Sequence, residues 1–218
     1  MKIIQILLAI LSVILPAQYG IASEPFGVYV APRALLFIQE ATAEAELPHK
    51  IWGPKKIYSA KMGGSLALGY DFRPMHNLPV RLEIEYSVFD HVSKQGKVRI
   101  LRKPVELRAK LAVQTLLANA YVDIPTPIGL IPFFGGGMGV AFLKGDLKSP
   151  LAGAKATSSV LAGQVGVGCA YEFTPRISAE AGYRFLMMDN ITDENPSISM
   201  NLRKNRMHQF LFGFRLTF

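Results

Sequence analysis

The sequence predicts an all-β fold: an eight-stranded antiparallel transmembrane β-barrel, wound as an up-and-down meander. Three observations carry that reading. Apolar residues recur at period two in eight separate stretches, the signature of strands with two unlike faces. The connections alternate between short turns and longer polar segments, as they do when one barrel rim is compact and the other extended. Half of the 218 residues are hydrophobic, with a mean hydropathy of +0.25. Yet no apolar run after residue 15 approaches the roughly 20 residues of a helical span.

The chain opens with Lys2, an apolar run over 3–15, Pro16, and Gly20-Ile21-Ala22. That order of charge, apolar stretch and small residues predicts a secretory signal cleaved after Ala22, leaving 23–218 as one barrel domain. The single cysteine, Cys169, permits no internal disulfide, so an oxidising compartment requires it to be hidden. Its phase with Val165, Val167 and Tyr171 places it toward lipid.

The predicted strands run over 26–38, 58–73, 80–90, 105–123, 130–143, 157–173, 177–189 and 207–218. In the second, Met62, Leu66, Leu68, Tyr70 and Phe72 oppose Lys61, Gly63, Ser65, Ala67, Gly69 and Asp71. In the third, Leu82, Ile84, Tyr86 and Val88 oppose Arg81, Glu83, Glu85 and Ser87. The fourth begins with Leu107, Ala109, Leu111 and Val113 against Glu106, Arg108, Lys110 and Gln114, and its phase is ambiguous over 115–119, where a bulge is an option. The sixth sets Leu161, Val165 and Val167 against Ala162, Gln164 and Gly166; the seventh sets Ala179, Ala181, Tyr183 and Phe185 against Ser178, Glu180, Gly182 and Arg184. The eighth reads FLFGFRLTF over 210–218, apolar at every second residue and ending on Phe218. Short turns fall at 73–79, 125–129 and 174–176, and long polar connections at 39–57, 91–104, 144–156 and 190–206.

The apolar phase is large and aromatic, whereas the other mixes charge with Gly, Ser and Ala. A face that needs no protein cover faces lipid; a face of small and charged residues suits a narrow lumen. Glu83, Glu85, Glu180, Arg108, Lys110, Arg184 and Arg215 are therefore expected to share that lumen as a paired cluster, since enclosed charges are tolerated only when paired.

Several segments resemble the opacity-type, OmpA-like family of eight-stranded outer-membrane barrels: 64–72 (GSLALGYDF), 81–87 (RLEIEYS), 119–124 (NAYVDI), 132–140 (PFFGGGMGV), 166–173 (GVGCAYEF) and the terminal strand. The resemblance spans nearly all of the mature chain. It implies a bacterial surface protein of structural or adhesive role, with both termini periplasmic, long loops extracellular, and Phe218 read as a signal by the barrel-assembly machinery. Opacity proteins carry longer variable loops than these.

The net charge of +8 would admit nucleic acid, but an exported β-protein does not meet it; lipopolysaccharide, acidic glycans or host and matrix surfaces suit it better. The basic residues concentrate in the long connections: Lys94, Lys97, Arg99, Arg102 and Lys103 in the second, Arg203, Lys204 and Arg206 in the fourth. The first is acidic at Glu40, Glu44 and Glu46, then basic at Lys50, Lys55 and Lys56.

Motifs for chemistry are weak. Gly135, Gly137 and Gly139 lack the Gly-Lys-Ser/Thr of a phosphate loop and fit close packing instead. The four histidines are scattered at His49, His76, His91 and His208, so no metal or other cofactor is expected. His91, Ser93 and Glu106 loosely resemble the site of lipid A deacylases, but those enzymes carry His-x-Ser near the C-terminus. The expected protein is a monomeric, non-enzymatic surface barrel; the alternatives are a narrow pore and a lipid A-modifying enzyme using His91 and Ser93.

Overall fold

The computed structural model describes the backbone of residues 26–47, 50–90, 92–100, 103–148, 153–189, 191–195 and 198–218, and side chains over 26–38, 60–90, 112–144, 157–189 and 206–218. The expected signal segment and its cleavage after Ala22 lie outside the described residues. The chain forms β1 (Val28–Leu47), β2 (Lys50–Asp71), the one-turn helix α1 (Arg73–His76), β3 (Val80–Phe89), β4 (Val92–Ile100), β5 (Lys103–Asp123), β6 (Leu130–Lys148), β7 (Gly153–Thr174), β8 (Ile177–Met188), β9 (Ile191–Asn195) and β10 (Ile198–Thr217). Ladders join β1-β2-β3-β5-β6-β7-β8-β10 in order, and β10 pairs back onto β1. β4 continues β3 along β5, and β9 continues β8 along β10. The wall is thus an eight-stranded antiparallel meander that closes on itself around the girdle, where closure leaves no free edge.

The seam is fixed by register. Tyr29 lies opposite Thr217 and Leu36 opposite Phe210; the Phe26 N–H donates to the Phe218 carbonyl at 2.7 Å, and the Phe218 N–H to that of Val28 at 2.8 Å. Phe26 and Phe218, the ends of the described barrel, therefore sit at one rim, with the three short turns. In the first of these, α1 carries Pro74 near its start and ends at Asn77, whose φ of 53° puts it in the left-handed region. Asn tolerates that conformation, and its N–H closes the turn onto the Arg73 carbonyl.

The outward phase is apolar on every strand with described side chains. Leu82, Ile84, Tyr86 and Val88 are exposed on β3, Val165 and Val167 on β7, Phe210, Phe212 and Phe214 on β10. Met138 is 75% and Leu161 70% exposed, values that water-soluble surfaces reserve for isolated residues, not for a continuous belt. The belt is a lipid-facing girdle. Edge-to-face pairs Tyr70–Phe72 and Tyr171–Phe173 stand beside the terminus-bearing rim, with ring centroids 4.7 and 5.2 Å apart. Cys169 is half-buried in the outward phase of β7.

Two expectations are corrected at the opposite rim. The long connections are mostly paired strand: β1 and β2 zip as far as Leu47 opposite Lys50, β4 and β5 to Ile100 opposite Lys103, β6 and β7 to Lys148 opposite Gly153. β2 has 22 residues, whereas a bilayer needs about 9–11, so half the strand stands clear of the membrane as ribbon. The second correction concerns β5. Val113, expected outward, is buried in the lumen with Thr115 and Leu117, while Leu116 is exposed. The β5–β6 ladder runs from Arg108 to Asp123 with no slip, so there is no bulge over 115–119. The unbroken register puts Arg108 and Lys110 in the phase of Gln114 and Leu116, the outward one.

The lumen is layered. Leu35, Phe37, Phe89, Val113, Leu117, Ala141, Leu143, Ala162, Leu186, Met188, Met207 and Leu211 form one buried apolar cluster in the half nearer the ribbons. Polar and charged residues share the half nearer the termini with two smaller apolar clusters, Tyr121 with Ile131, Phe133 and Ala170, and Tyr29 with Ala31 and Ala67. Gly137 allows the filling: a Cβ there would meet the Asn119 Oδ1 at 1.9 Å and the Ala118 carbonyl at 2.5 Å.

Candidate functional site: lumenal ion pairs and extended ribbons

Six strands supply the buried charges, Asp71 on β2 and Asp123 on β5 among them, and alternation delivers each to the same side of the wall. Arg33 comes from β1, Arg81, Glu83 and Glu85 from β3, Glu180 and Arg184 from β8, Arg215 from β10. Arg33 is the hub. It bonds Glu83 through Nη1 and Nη2, both at 2.8 Å, Glu85 through Nη1 at 2.5 Å, and Glu180 through Nε. Arg184 reaches Glu85 at 2.6 Å, and Arg215 reaches Glu180 at 3.1 Å. Arg81 pairs with Asp123 at 2.8 Å, and its guanidinium carbon lies 4.4 Å from the Tyr121 ring centroid. The Tyr29 hydroxyl donates to Glu83 at 2.9 Å. A Cβ on Gly69 would strike that tyrosine's ring at 2.3 Å, so Gly69 is what lets Tyr29 lie flat enough to reach.

Of the seven residues expected in the cluster, the structure brings together Glu83, Glu85, Glu180, Arg184 and Arg215. The side chains of Arg108 and Lys110 lie outside the described residues. Their backbone positions are remote: Glu83 is opposite Asn119, and Arg108 sits roughly 35 Å farther along β5 at about 3.3 Å per residue. Sequence reasoning missed Arg33, Arg81 and Asp123. The signal for Arg33 was faint, because β1 is apolar in both phases, with Leu35 and Phe37 inward and Leu36 and Ile38 outward. Arg81 lay in a legible inward phase and needed only to be counted against the glutamates; Asp123 lay beyond the ambiguous stretch 115–119, on a strand whose odd residues the alternation assigns to lipid.

At the terminus-bearing mouth a cavity of about 260 Å³ is lined by Asp71, Arg73, Glu172, Arg176 and Arg215 among others. Arg73 there grips Asp71 at 2.6 Å. Burial opposes its charge, yet the hydrogen bond and the negative charge of Asp71, with Asp123 and Glu172 behind it, hold the guanidinium above its ordinary range. Among the described residues no group of three His, Cys, Asp or Glu is placed to hold a metal ion.

The basic residues of the long connections fall on two sheets. Lys94, Lys97 and Arg99 lie on β4 and Lys103 on β5; Arg203, Lys204 and Arg206 lie on β10. Arg206 is exposed and sits opposite Glu40. Arg102 and His91 lie outside the described residues, as do the side chains of Lys94, Lys97, Arg99, Lys103, Arg203, Lys204 and Ser93. The Ser93 backbone is paired opposite Lys110.

The family described as outer membrane protein beta-barrel domain matches residues 6–218, and the chain belongs to it. Outer membrane protein PagN of Salmonella typhimurium is 28% identical over 134 residues, covering 57% of this chain and 56% of that protein. An uncharacterized protein of Brucella abortus is 28% identical over 155 residues, 61% of this chain and 54% of its own length. The chain thus spans about half the length of the curated relatives it matches. Two solved structures share the fold. OprG of Pseudomonas aeruginosa has a TM-score of 0.55 at 18% identity, over 91% of this chain and 99% of that one. Neisserial surface protein A has a TM-score of 0.50 at 17% identity, over 88% and 97%. The girdle accordingly sits in the outer membrane, with the termini and short turns periplasmic and the ribbons extracellular.

Proposed function

We propose that this barrel is a surface-interaction protein of adhesin type, which presents basic extracellular ribbons to acidic partners. The observation that carries the reading is the extent of paired strand beyond the girdle. Loops that merely reconnect spans need few residues, whereas β1–β2 and β6–β7 stay zipped to their tips. A paired ribbon holds its side chains at fixed spacing, which is what a binding surface requires. The filled lumen supports the same choice over a pore: an apolar cluster occupies one half, and paired charges occupy the other. Eight-stranded walls enclose a space that side chains just fill.

The test compares cells displaying the whole chain with cells displaying a variant whose ribbons are cut back to short turns. Both are exposed to immobilised acidic glycans and matrix proteins, and both are checked for folding by heat-modifiable gel mobility. Ribbon-dependent capture on an acidic surface is the expected result. Equal capture by the two folded forms, or stable single-channel conductance from the intact one in planar bilayers, would overturn the proposal.

A further inference from the structure

At the periplasmic mouth the filling of the lumen stops short. The cavity of about 260 Å³ there has room for about nine water molecules at roughly 30 Å³ each, which is the bulk of one or two peptide residues. Its inner end is blind. Arg215 bonds Glu180, Glu180 bonds Arg33, and the apolar layer lies beyond. A ligand therefore enters and leaves by the rim.

The lining charges are sorted by depth. The Arg73 side chain is 22% exposed and holds Asp71 at 2.6 Å. Glu172 and Arg176 are half-buried. Arg215, at 2%, forms the floor. Its Nη2 reaches Glu180 at 3.1 Å and its Nη1 reaches Asp123 at 3.5 Å. Both carboxylates are already held, Glu180 by Arg33 and Asp123 by Arg81 at 2.8 Å. The Arg215 Nε–H is buried and meets no acceptor among the described residues. An unmade bond from a buried charged donor costs more than one from a neutral group. Because Arg215 lines the cavity, a ligand there removes that cost.

Three guanidinium groups stand with two carboxylates in this lining, so one negative charge balances it and the two of a phosphate do not. A carboxylate also presents two acceptors in a plane, which suits a guanidinium edge. Glu172, nearer the opening, is an acceptor for a backbone N–H behind that carboxylate. Pro74 and Pro175, on the two turns beside the cavity, also line it. Their fixed φ holds the mouth in one shape and lowers the ordering cost of binding. We infer that the periplasmic mouth binds the carboxylate end of a peptide chain, with Arg215 receiving the carboxylate and the rest of the peptide trailing into the periplasm. The inference goes beyond the surface-interaction reading and is independent of it.

The test uses the full chain in bilayer nanodiscs, which leave the periplasmic mouth open to solution. Trialanine is the probe, and binding is followed by calorimetry. Trialanine should bind saturably at millimolar concentration. Its C-terminal amide should bind at least about tenfold more weakly, because it loses a charge-assisted bond. Free alanine, which brings a positive ammonium to the guanidinium groups in place of an amide, should bind at least about fivefold more weakly. Arg215→Lys keeps the charge and removes the Nε–H; it should weaken trialanine at least about fivefold. Arg176→Gln, at the rim, should weaken it about threefold and keeps the test decisive if the first variant does not fold. Lys148→Gln, at the opposite rim, should leave it unchanged. Heat-modifiable gel mobility verifies folding. Equal binding of trialanine and its amide, or unchanged trialanine affinity in every arginine variant that folds, would overturn the inference. Free alanine that binds as tightly as the peptide would overturn it as well.

Discussion

Replacing Arg33 by Met should be the most destabilising single change in the barrel wall. Its side chain is 1% exposed, and those of Glu83, Glu85 and Glu180 are 0–1% exposed, so solvent screening offers no relief. The three carboxylates are not left equally bare. Glu85 keeps Arg184 at 2.6 Å and Glu180 keeps Arg215 at 3.1 Å. Glu83 keeps only Arg81 at 3.7 Å and Arg184 at 3.8 Å, with Tyr29 and Asn119 as neutral donors. Stranding one buried charge costs about 3–5 kcal/mol. Arg33→Met should therefore cost that much, and Glu83→Gln added to it should restore more than half, whereas Glu180→Gln should restore less. Arg108→Ala, in the outward phase above the girdle, is the control and should change stability by under about 0.5 kcal/mol. The assay is equilibrium unfolding in urea from lipid bilayers, with both limbs shown to be reversible. An Arg33→Met cost no greater than that of Arg108→Ala, or equal rescue by the two glutamines, would refute the account of the hub.

Three further outcomes are expected. Leu211→Ala, fully buried in the lumenal cluster, should cost about 2–5 kcal/mol, while its neighbour Phe212→Ala, 52% exposed to lipid, should cost clearly less in the same unfolding assay; the reverse order would mean that the faces are exchanged. Gly137→Val, which must displace Asn119 or the Ala118 carbonyl, should cost at least about 1–3 kcal/mol and is measured alongside. Deleting Phe218 should lower the heat-modifiable, membrane-inserted fraction in cells, since that residue closes the seam and ends the strand that resembles an assembly signal; an unchanged folded fraction would remove its role.

The architecture was legible because lipid outside and a crowded lumen inside impose opposite demands on alternate residues, and β3, β7, β8 and β10 obey them without interruption. The same rule misled on β5. Over 107–113 the apolar phase was assigned to lipid, yet most of this stretch stands above the membrane, where the outward phase meets water. There the polar residues belong outside, and the rule inverts. With Val113 and Leu117 inward and Leu116 outward, apolar on both faces, nothing in the strand marked the crossing point. The ribbons were read as loops for a related reason. Backbone pairing in water needs no apolar face, and Pro48, Gly53 and Pro54 punctuate the first ribbon as they would a loop. The lumenal site was half visible: glutamates and arginines in clean phases were found, but Arg33 sits between Leu35 and Ala31 on a strand with no polar phase to betray it. The apolar layer in the lumen has no mark in the alternation, because Gly, Ser and Ala share the inward phase with it and Leu and Met there look like lipid-facing residues.

Everything proposed for the ribbons depends on their lying outside the cell. The direct measurement places single cysteines at Lys148, beside the tip of the β6–β7 ribbon, and at Asn77, in the turn after α1, both in a Cys169→Ser background. Intact cells are treated with a membrane-impermeant maleimide. The account predicts labelling of K148C on intact cells and of N77C only after the outer membrane is permeabilised; labelling of N77C on intact cells with K148C protected would contradict it.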